Sequence, residues 1–479
     1  MLNHQAHAMT STPSSSRPNV SIPAAMLQRF DISGPRYTSY PTADRFNDGF
    51  DQQDYLQALY QRVLPQQPLS IYVHVPFCAN LCFYCACNKI ITRRHERASE
   101  YLRYLIREMA LHAVHLHTQP DGRQAAVTQL HLGGGSPTYF NDAELARLMA
   151  ALRHHFGVMD DAELAIEVDP RTVDSARLVR LRELGFNRLS IGVQDFDAEV
   201  QVEVNRRQST QQVFELVAQA RQLGFHGINV DLIYGLPRQT PASFMQTLKT
   251  LLQLRPDRIA LYAYAHLPER FKPQQQIDSA SLPAGPDKLQ MLAMAIERLQ
   301  VAGYDYIGMD HFALPDDALA VARRQGRLYR NFQGYTTRQE GDLIALGVSS
   351  IAKVGATYSQ NEKTLTRYYE ALERGHLPIA RGLQLTRDDL LRRAVIMAIM
   401  CQGRVEFESI EAAHLIEFNT YFAVELAALS ELVNEGIIEL DTRSLQVTAL
   451  GWYFVRGIAM HFDHYLRGTR TQARYSRIV

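Results

Sequence analysis

From residue 68 onward, short β-rich runs alternate with longer segments of helical spacing. This alternation constrains the fold more than any other feature of the chain. The β runs fall at 70–77, 129–134, 164–168, 188–194, 227–235 and 258–266. Helical spacing fills 96–116, 142–155, 175–184, 211–223 and 241–254 between them. Repetition of this kind builds βαβ units and a parallel sheet. Six such strands in series predict an α/β fold, an open or incomplete (β/α)6 barrel.

The strands carry a second signal. Alternate residues of a strand face opposite sides. Ile71, Val73 and Val75 alternate with Tyr72 and His74. Ile166 and Val168 alternate with Glu167 and Asp169, Ile191 and Val193 with Ser190, Gly192 and Gln194, and Ile228, Val230 and Leu232 with Asn229 and Asp231. Strands covered by helices on both faces read as continuous apolar runs. Here one face is polar in strand after strand, which predicts a barrel interior shaped as a ligand cavity rather than a packed core. For any one strand, polar residues satisfying one another is an equal reading; four strands together favour the cavity.

Outside this region, residues 1–20 are rich in Ser, Thr, Pro and Asn and read as a disordered tail. Residues 21–66 form an arm with neither helical nor strand periodicity. The catalytic unit is expected over 67–375, with two further strand-like runs at 304–309 and 343–348. Helical spacing returns at 387–401 and 421–435, followed by short β runs at 437–440 and 445–450 and a last helix. Residues 376–479 therefore read as a mainly helical, winged-helix-like C-terminal domain.

Lys+Arg and Asp+Glu are balanced at 50 each, so no global basic field points to nucleic acid. No apolar run reaches the roughly 18 residues of a membrane span, and no secretory signal pattern opens the chain. A cytoplasmic protein without membrane or nucleic-acid partners, and a monomer, is expected.

Four of the five cysteines, Cys78, Cys82, Cys85 and Cys87, fall within ten residues, and Cys401 stands alone. Clustered thiols in a chain without a secretion signal favour a metal or redox site over a disulfide framework. A zinc site usually adds a second ligand pair, and ferredoxins supply four thiolates to a cubane. Cys78, Cys82 and Cys85, spaced CxxxCxxC, instead leave one iron of a [4Fe–4S] cluster open. That iron can chelate the amino and carboxylate groups of S-adenosylmethionine. Cys87 and His74 are further candidates for a catalytic role, against the alternative that each is a buried structural group.

Other motifs lie at strand ends. The run GGGSPT at 133–138 follows the second strand, where glycines let backbone approach a ligand. Glu167 and Asp231 on the polar faces suit ribose hydroxyls or a cationic amine, and Gln194 and Arg206 are similar candidates. Tyr262, Tyr264 and His266 end the sixth strand; core packing is the stronger reading of them than a substrate wall.

The CxxxCxxC spacing, with aromatic Tyr84 before the third cysteine, resembles the signature of the radical S-adenosylmethionine superfamily. The wider set of motifs resembles the oxygen-independent coproporphyrinogen III oxidase family. It comprises PRYTSYPTADRF (35–46), YVHVPFCANLCFYCACNK (72–89), LHLGGGSPTY (130–139), IEVDPR (166–171), RLSIGVQDF (188–196), VNRRQ (204–208), NVDLIYGLP (229–237), YAHLP (264–268) and LIALGVSSI (343–351). The resemblance runs from about residue 28 into the C-terminal domain.

The resemblance implies one [4Fe–4S] cluster on Cys78, Cys82 and Cys85, and two S-adenosylmethionine molecules. The first would touch Tyr72, Gly134, Glu167 and Ile351. The second would touch Tyr84, Gly135, Ser136, Gln194, Arg206, Asp231 and Ala265, the last through its backbone. Tyr84 and Ser136 stand where the family form has Phe and Thr, keeping an aromatic and a hydroxyl. The implied reaction converts two propionates of coproporphyrinogen III to vinyls, giving protoporphyrinogen IX, with an unidentified electron donor and acceptor. The tetra-anionic substrate needs local cations, and Arg36 in the arm is one candidate. The arm and the C-terminal domain would cover the barrel mouth. A haem chaperone built on the same barrel is the main alternative; Cys87 and the 35–42 arm argue against it. A nucleic-acid regulator using the C-terminal module is the other, and the neutral charge argues against that.

Overall fold

The computed structural model describes residues 22–61, 68–116, 125–338, 341–467, 475 and 477. The tail expected over 1–20 lies outside the described residues. Six parallel strands form the centre of the main sheet: β1 Leu69–Val75, β2 Ala126–Gly134, β3 Gly157–Val168, β4 Arg188–Gln194, β5 Gly227–Tyr234 and β6 Arg258–Ala263. They pair in sequence order, each parallel to the next. Five helices make the crossovers: α1 Glu96–His115, α2 Asp142–His155, α3 Ser175–Glu183, α4 Thr210–Gln222 and α5 Pro241–Leu254.

Local chemistry fixes the helix ends. The Asn141 side chain accepts from the Glu144 N–H while Glu144 reaches back to Asn141, a capping box that starts α2. Thr240 caps α5, Pro241 occupies its first turn, and Arg255 in the left-handed region closes it. The helices bury one stripe each; on α1 this is Tyr101, Leu102, Leu105, Glu108, Met109 and His112, spaced three and four apart.

The two faces of the strands separate as their sequence alternation predicts. Ile71, Val73, Ile166, Ile191, Val193, Ile228, Val230 and Leu232 are fully buried beneath the helices. Tyr72, Glu167, Gln194 and Asp231, on the opposite register, are only half-buried. At roughly 1.5–3 kcal/mol for each large aliphatic side chain removed from water, the apolar register supplies much of the barrel's stability. The polar register is left for ligands.

The structure corrects the sequence reading in five places. The sheet is larger than six strands. The strand-like run expected at 343–348 is a seventh parallel strand, β7 Asp342–Leu346, which pairs with the outer edge of β1. Antiparallel strands then extend both edges to twelve strands among the described residues. Second, β3 begins at Gly157, because Asp160 and Asp161 are exposed and hide its alternation. Third, the arm contains two helices, Ala24–Arg29 and Gln52–Tyr60, the latter started by a capping box at Asp51. Fourth, the strand Ile379–Gln384 still belongs to the main sheet, so the chain leaves it about nine residues later than the boundary at 376. Fifth, the helix expected over 421–435 is three short segments, Phe418–Tyr421, Ala423–Ala428 and Ser430–Asn434.

The C-terminal region packs the long helix Arg387–Gln402 and these shorter ones against a three-stranded antiparallel sheet. The arm is clamped to it. Tyr37 and Tyr40 are fully buried. Tyr37 donates to Asp463 Oδ2 at 2.9 Å. The buried Arg456 donates from Nε to the Pro35 carbonyl at 2.8 Å and from another nitrogen to the Gly34 carbonyl. The polar-aromatic stretch is thus a packed strap, and its aromatic content is what buries it.

Candidate active site

The thiols sit on a loop that leaves the C-terminal end of β1. Phe77–Cys78 pairs in parallel with Ile90–Ile91 and closes the loop at its base. The Ile90 N–H donates to the Pro76 carbonyl at 2.7 Å and the Thr92 N–H to the Cys78 carbonyl at 3.1 Å. Lys89 Nζ holds the far side, donating to the carbonyls of Cys85 at 2.9 Å and Cys87 at 3.4 Å. Asn205 Nδ2 donates to the Leu81 carbonyl at 2.8 Å, and the Phe83 N–H to the Val204 carbonyl at 3.0 Å. The segment 204–206 therefore braces the loop.

All the cysteines are free thiols. Cys82 Sγ is approached by two guanidinium groups, Arg206 Nη1 at 3.6 Å and Arg171 Nη2 at 3.8 Å. Asp169 Oδ2 holds both, accepting from Arg171 Nη2 at 2.6 Å and from Arg206 Nη1 at 3.1 Å. Burial, then the charges of Cys85 and Cys82, push the Cys78 thiol up to about 12. The hydrogen bond from Cys87, aided by Lys89, brings Cys85 down to about 6. Three thiolates coexist here only around a cationic centre. Among the described residues, no three His, Cys, Asp or Glu side chains converge to hold one metal ion.

Beside this loop lies a cavity of about 550 Å³, lined by Tyr72 and His74 of β1, His131 and Gly134 of β2, Glu167 of β3, Cys87, and Ser349, Ser350 and Ile351 after β7. Its wall is tightly specified. Gly134 has φ +117°, and a Cβ there would lie 2.6 Å from the His74 ring; one on Gly135 would lie 2.7 Å from the Pro76 carbonyl. Only glycine fits this approach. The Gly134 N–H donates to Glu167 Oε2 at 3.0 Å, and His131 Nε2 lies 3.3 Å from Glu167 Oε1. Burial raises the Glu167 carboxyl, but these two partners outweigh it and leave the group below its ordinary value. Tyr72 stacks on His131 at 5.9 Å.

His74 donates from Nε2 to the Asn88 carbonyl at 2.9 Å, so Nδ1 is the lone-pair nitrogen facing the Tyr72 hydroxyl at 3.1 Å. Burial lowers its pKa and keeps the ring neutral. Cys87 is exposed and is one of the residues lining this cavity. Tyr72, Gly134, Glu167 and Ile351 thus share one space with Cys87 and His74.

Of the second group of expected residues, Gln194 and Arg206 meet at the end of β4, with Asp231 of β5 beside Gly192 in register; Tyr84, Gly135, Ser136 and Ala265 lie on other loops. The register slips between Gly192 and Gln194, a bulge that puts Gln194 at φ +70°. A Cβ on Gly192 would lie 3.0 Å from Gln194 Nε2 and 3.1 Å from Arg206 Nη2. The two side chains therefore meet over this glycine. Arg206 Nη2 donates to the Gly192 carbonyl at 2.6 Å, while its buried Nε has no hydrogen-bond partner. Asp231 accepts from Asn229 Nδ2 at 2.8 Å and Ser190 Oγ at 3.4 Å. Burial, then the Glu167 charge, pushes it up to about 6.

Tyr84 lies in a small apolar cluster with Phe83, Val200, Val204 and Tyr264. Gln274 Nε2 bridges the carbonyls of Tyr84 and Ala265, 3.1 Å from each. Ala265 lies just past the end of β6. The N–H groups of Gly135 and Ser136 are spent on the Val75 and Phe77 carbonyls, at 2.8 and 2.9 Å, and the Ser136 hydroxyl pairs with Thr138 Oγ1 at 3.3 Å. Arg36 is already paired with Asp310 at 3.0 Å and lies 5.2 Å over the Tyr262 ring. Sequence reasoning missed Lys89, Arg171 and Gln274. Arg171 closes the motif IEVDPR and was within reach; nothing in the pattern marks Gln274.

The motif CxxxCxxC, the glycine cradle and the parallel barrel define the class. Residues 72–251 match the Radical SAM superfamily, and residues 385–454 match the HemN C-terminal domain. The oxygen-independent coproporphyrinogen III oxidase of Pseudomonas aeruginosa is 48% identical over 458 residues, covering 95% of this chain and 98% of the relative. That of Escherichia coli is 47% identical over 455 residues, with the same coverages. A solved structure of the Escherichia coli protein, described as a Radical SAM enzyme, superposes with a TM-score of 0.87 over 91% of this chain and 100% of that one. The chain belongs to the oxygen-independent coproporphyrinogen III oxidase family.

The site fits the groups this family implies. Three thiols on one loop and two guanidinium groups at Cys82 suit a [4Fe–4S] cluster. The open cavity, with Glu167 and His131 in an otherwise largely apolar wall, and the unpartnered Arg206 Nε suit S-adenosylmethionine.

Proposed function

We propose that this chain oxidatively decarboxylates two propionate side chains of coproporphyrinogen III to vinyl groups without oxygen, in haem biosynthesis. The observation that carries the reading is the joining of Tyr72, His74, Cys87, Gly134, Glu167 and Ile351 in one cavity beside the three-thiol loop. When bound, the cluster and S-adenosylmethionine supply one-electron chemistry that abstracts a hydrogen atom.

The chain's own residues bind and orient. Cys78, Cys82 and Cys85 hold the cluster, and Arg171 and Arg206 offset its negative charge at Cys82. Tyr72, Gly134, Glu167 and Ile351 hold the first S-adenosylmethionine. Glu167 is ionised at neutral pH, which suits the ligand's cationic amine or its ribose hydroxyls. Tyr84, Gly135, Ser136, Gln194, Arg206, Asp231 and Ala265 hold a second molecule, with the unpaired Arg206 Nε meeting an acceptor there. Cys87 and neutral His74 face the reacting carbon. Each propionate gives up one hydrogen atom from its β-carbon, one electron to an external acceptor, and CO2. Arg36 takes a substrate carboxylate by leaving Asp310. The strap and the C-terminal helices exclude water from the mouth.

Anaerobic turnover tests this. The reconstituted enzyme, with reductant, S-adenosylmethionine, coproporphyrinogen III and an electron-accepting extract, is expected to form two 5′-deoxyadenosines per protoporphyrinogen. Deoxyadenosine without porphyrin product would move the function to the haem-chaperone reading.

A further inference from the structure

Helix α1 packs behind the barrel, and none of its residues is among those lining the cavity. Two of its side chains nevertheless reach the cavity's walls from behind. Tyr101 and Glu108 lie seven residues apart, on one helical face, and both are fully buried. The Tyr101 hydroxyl donates to the His74 carbonyl at 2.7 Å and accepts from the Val348 N–H at 3.0 Å. Glu108 Oε2 accepts from the Gly347 N–H at 2.7 Å and the Tyr368 hydroxyl at 2.6 Å, while Oε1 accepts from Asn361 Nδ2 at 2.6 Å.

These bonds converge on one turn. Gly347 follows β7 with φ +97°, and a Cβ there would run into the Tyr101 hydroxyl and the His74 carbonyl. Ser350 Oγ donates to the Gly347 carbonyl at 2.8 Å, and Asn361 Nδ2 reaches the same oxygen at 2.9 Å. Ser349 is held at φ +61°. The turn then delivers Ser349, Ser350 and Ile351 to the cavity that Tyr72 and Glu167 also line. One hydroxyl, on Tyr101, therefore touches both walls: the β1 backbone at His74 and the turn that presents Ile351.

We propose that Tyr101 and Glu108 are positioning residues that set the spacing between β1 and the 347–351 turn, and so the affinity for S-adenosylmethionine. The inference rests on placing the first S-adenosylmethionine against Tyr72, Gly134, Glu167 and Ile351. Buried, fully satisfied hydrogen bonds of this kind fix a geometry that packing alone leaves loose.

The test is anaerobic calorimetric binding of S-adenosylmethionine to the reconstituted holoenzyme. Tyr101→Phe keeps the ring, which packs edge-on to Phe77 at 5.5 Å, and removes only the hydroxyl. Losing its two hydrogen bonds is expected to raise Kd about fivefold to tenfold. Iron content and KM for coproporphyrinogen III are expected to stay within twofold of wild type, about the scatter of such assays. The control is Tyr104→Phe on the same helix, whose hydroxyl serves Glu373 away from the cavity; its Kd stays at the wild-type value. Glu108→Gln, whose amide N–H must face either the Gly347 and Tyr368 donors or, flipped, the Asn361 donor, is expected to weaken binding at least as much and serves if Tyr101→Phe does not fold. An unchanged Kd in Tyr101→Phe, or an equal rise in Tyr104→Phe, would overturn the proposal. Wild-type holoenzyme that binds no S-adenosylmethionine would instead refute the functional reading on which it rests.

Discussion

Cys82→Ala is expected to yield a folded, colourless protein that retains little iron after reconstitution and makes no protoporphyrinogen. Cys82 is the buried member of the three thiols, and the one whose sulfur both Arg171 and Arg206 approach. Loss of partners that merely orient a ligand typically costs about 10–100-fold in metal affinity; loss of the ligand itself exceeds that. The substitution also leaves two guanidinium groups facing a methyl group. Asp169, bonded to both, keeps them from being uncompensated, so the fold is expected to survive. Iron analysis and visible absorbance check this together. Iron at wild-type stoichiometry in Cys82→Ala would reject the ligand assignment.

Cys87→Ser separates cluster from chemistry. Cys87 lies two residues past the third ligand, but its side chain faces the cavity that Tyr72, His74 and Glu167 line. Serine preserves size and hydrogen bonding and removes the thiol. The variant is expected to keep full iron content and S-adenosylmethionine binding while product formation falls at least about 100-fold, the lower end for loss of a group acting on the reacting atoms. The readout is the ratio of 5′-deoxyadenosine to protoporphyrinogen. Wild-type turnover would reduce Cys87 to a cavity-wall residue.

Much of the site is visible in the chain because its chemistry is local. Cys78, Cys82, Cys85 and Cys87 sit within one loop, and GGG at 133–135 marks a backbone approach that leaves no room for side chains. The polar register of the strands is legible for the same reason, since period-two alternation survives in a strand buried on one face only. What was not legible depends on long-range pairing. Strand β7 joins the sheet beside β1 across some 270 residues, and no periodicity announces that partner. The arm's helices are short, and aromatic residues that bury against Asp463 and Arg456 carry no 3.6-residue rhythm. Arg36 illustrates the limit on charge. Sequence marks it as a cation near the mouth, while Asp310, which occupies it, lies 274 residues away. Tyr101 and Glu108 read as ordinary core positions of an amphipathic helix; their importance arises from the turn after β7 that they hold.

The most direct measurement follows the hydrogen atom. Coproporphyrinogen III deuterated at the propionate β-carbons is turned over anaerobically by the reconstituted enzyme, and the 5′-deoxyadenosine is weighed by mass spectrometry. The account predicts one deuterium in each molecule of 5′-deoxyadenosine released with product. Unlabelled 5′-deoxyadenosine formed alongside protoporphyrinogen would contradict it.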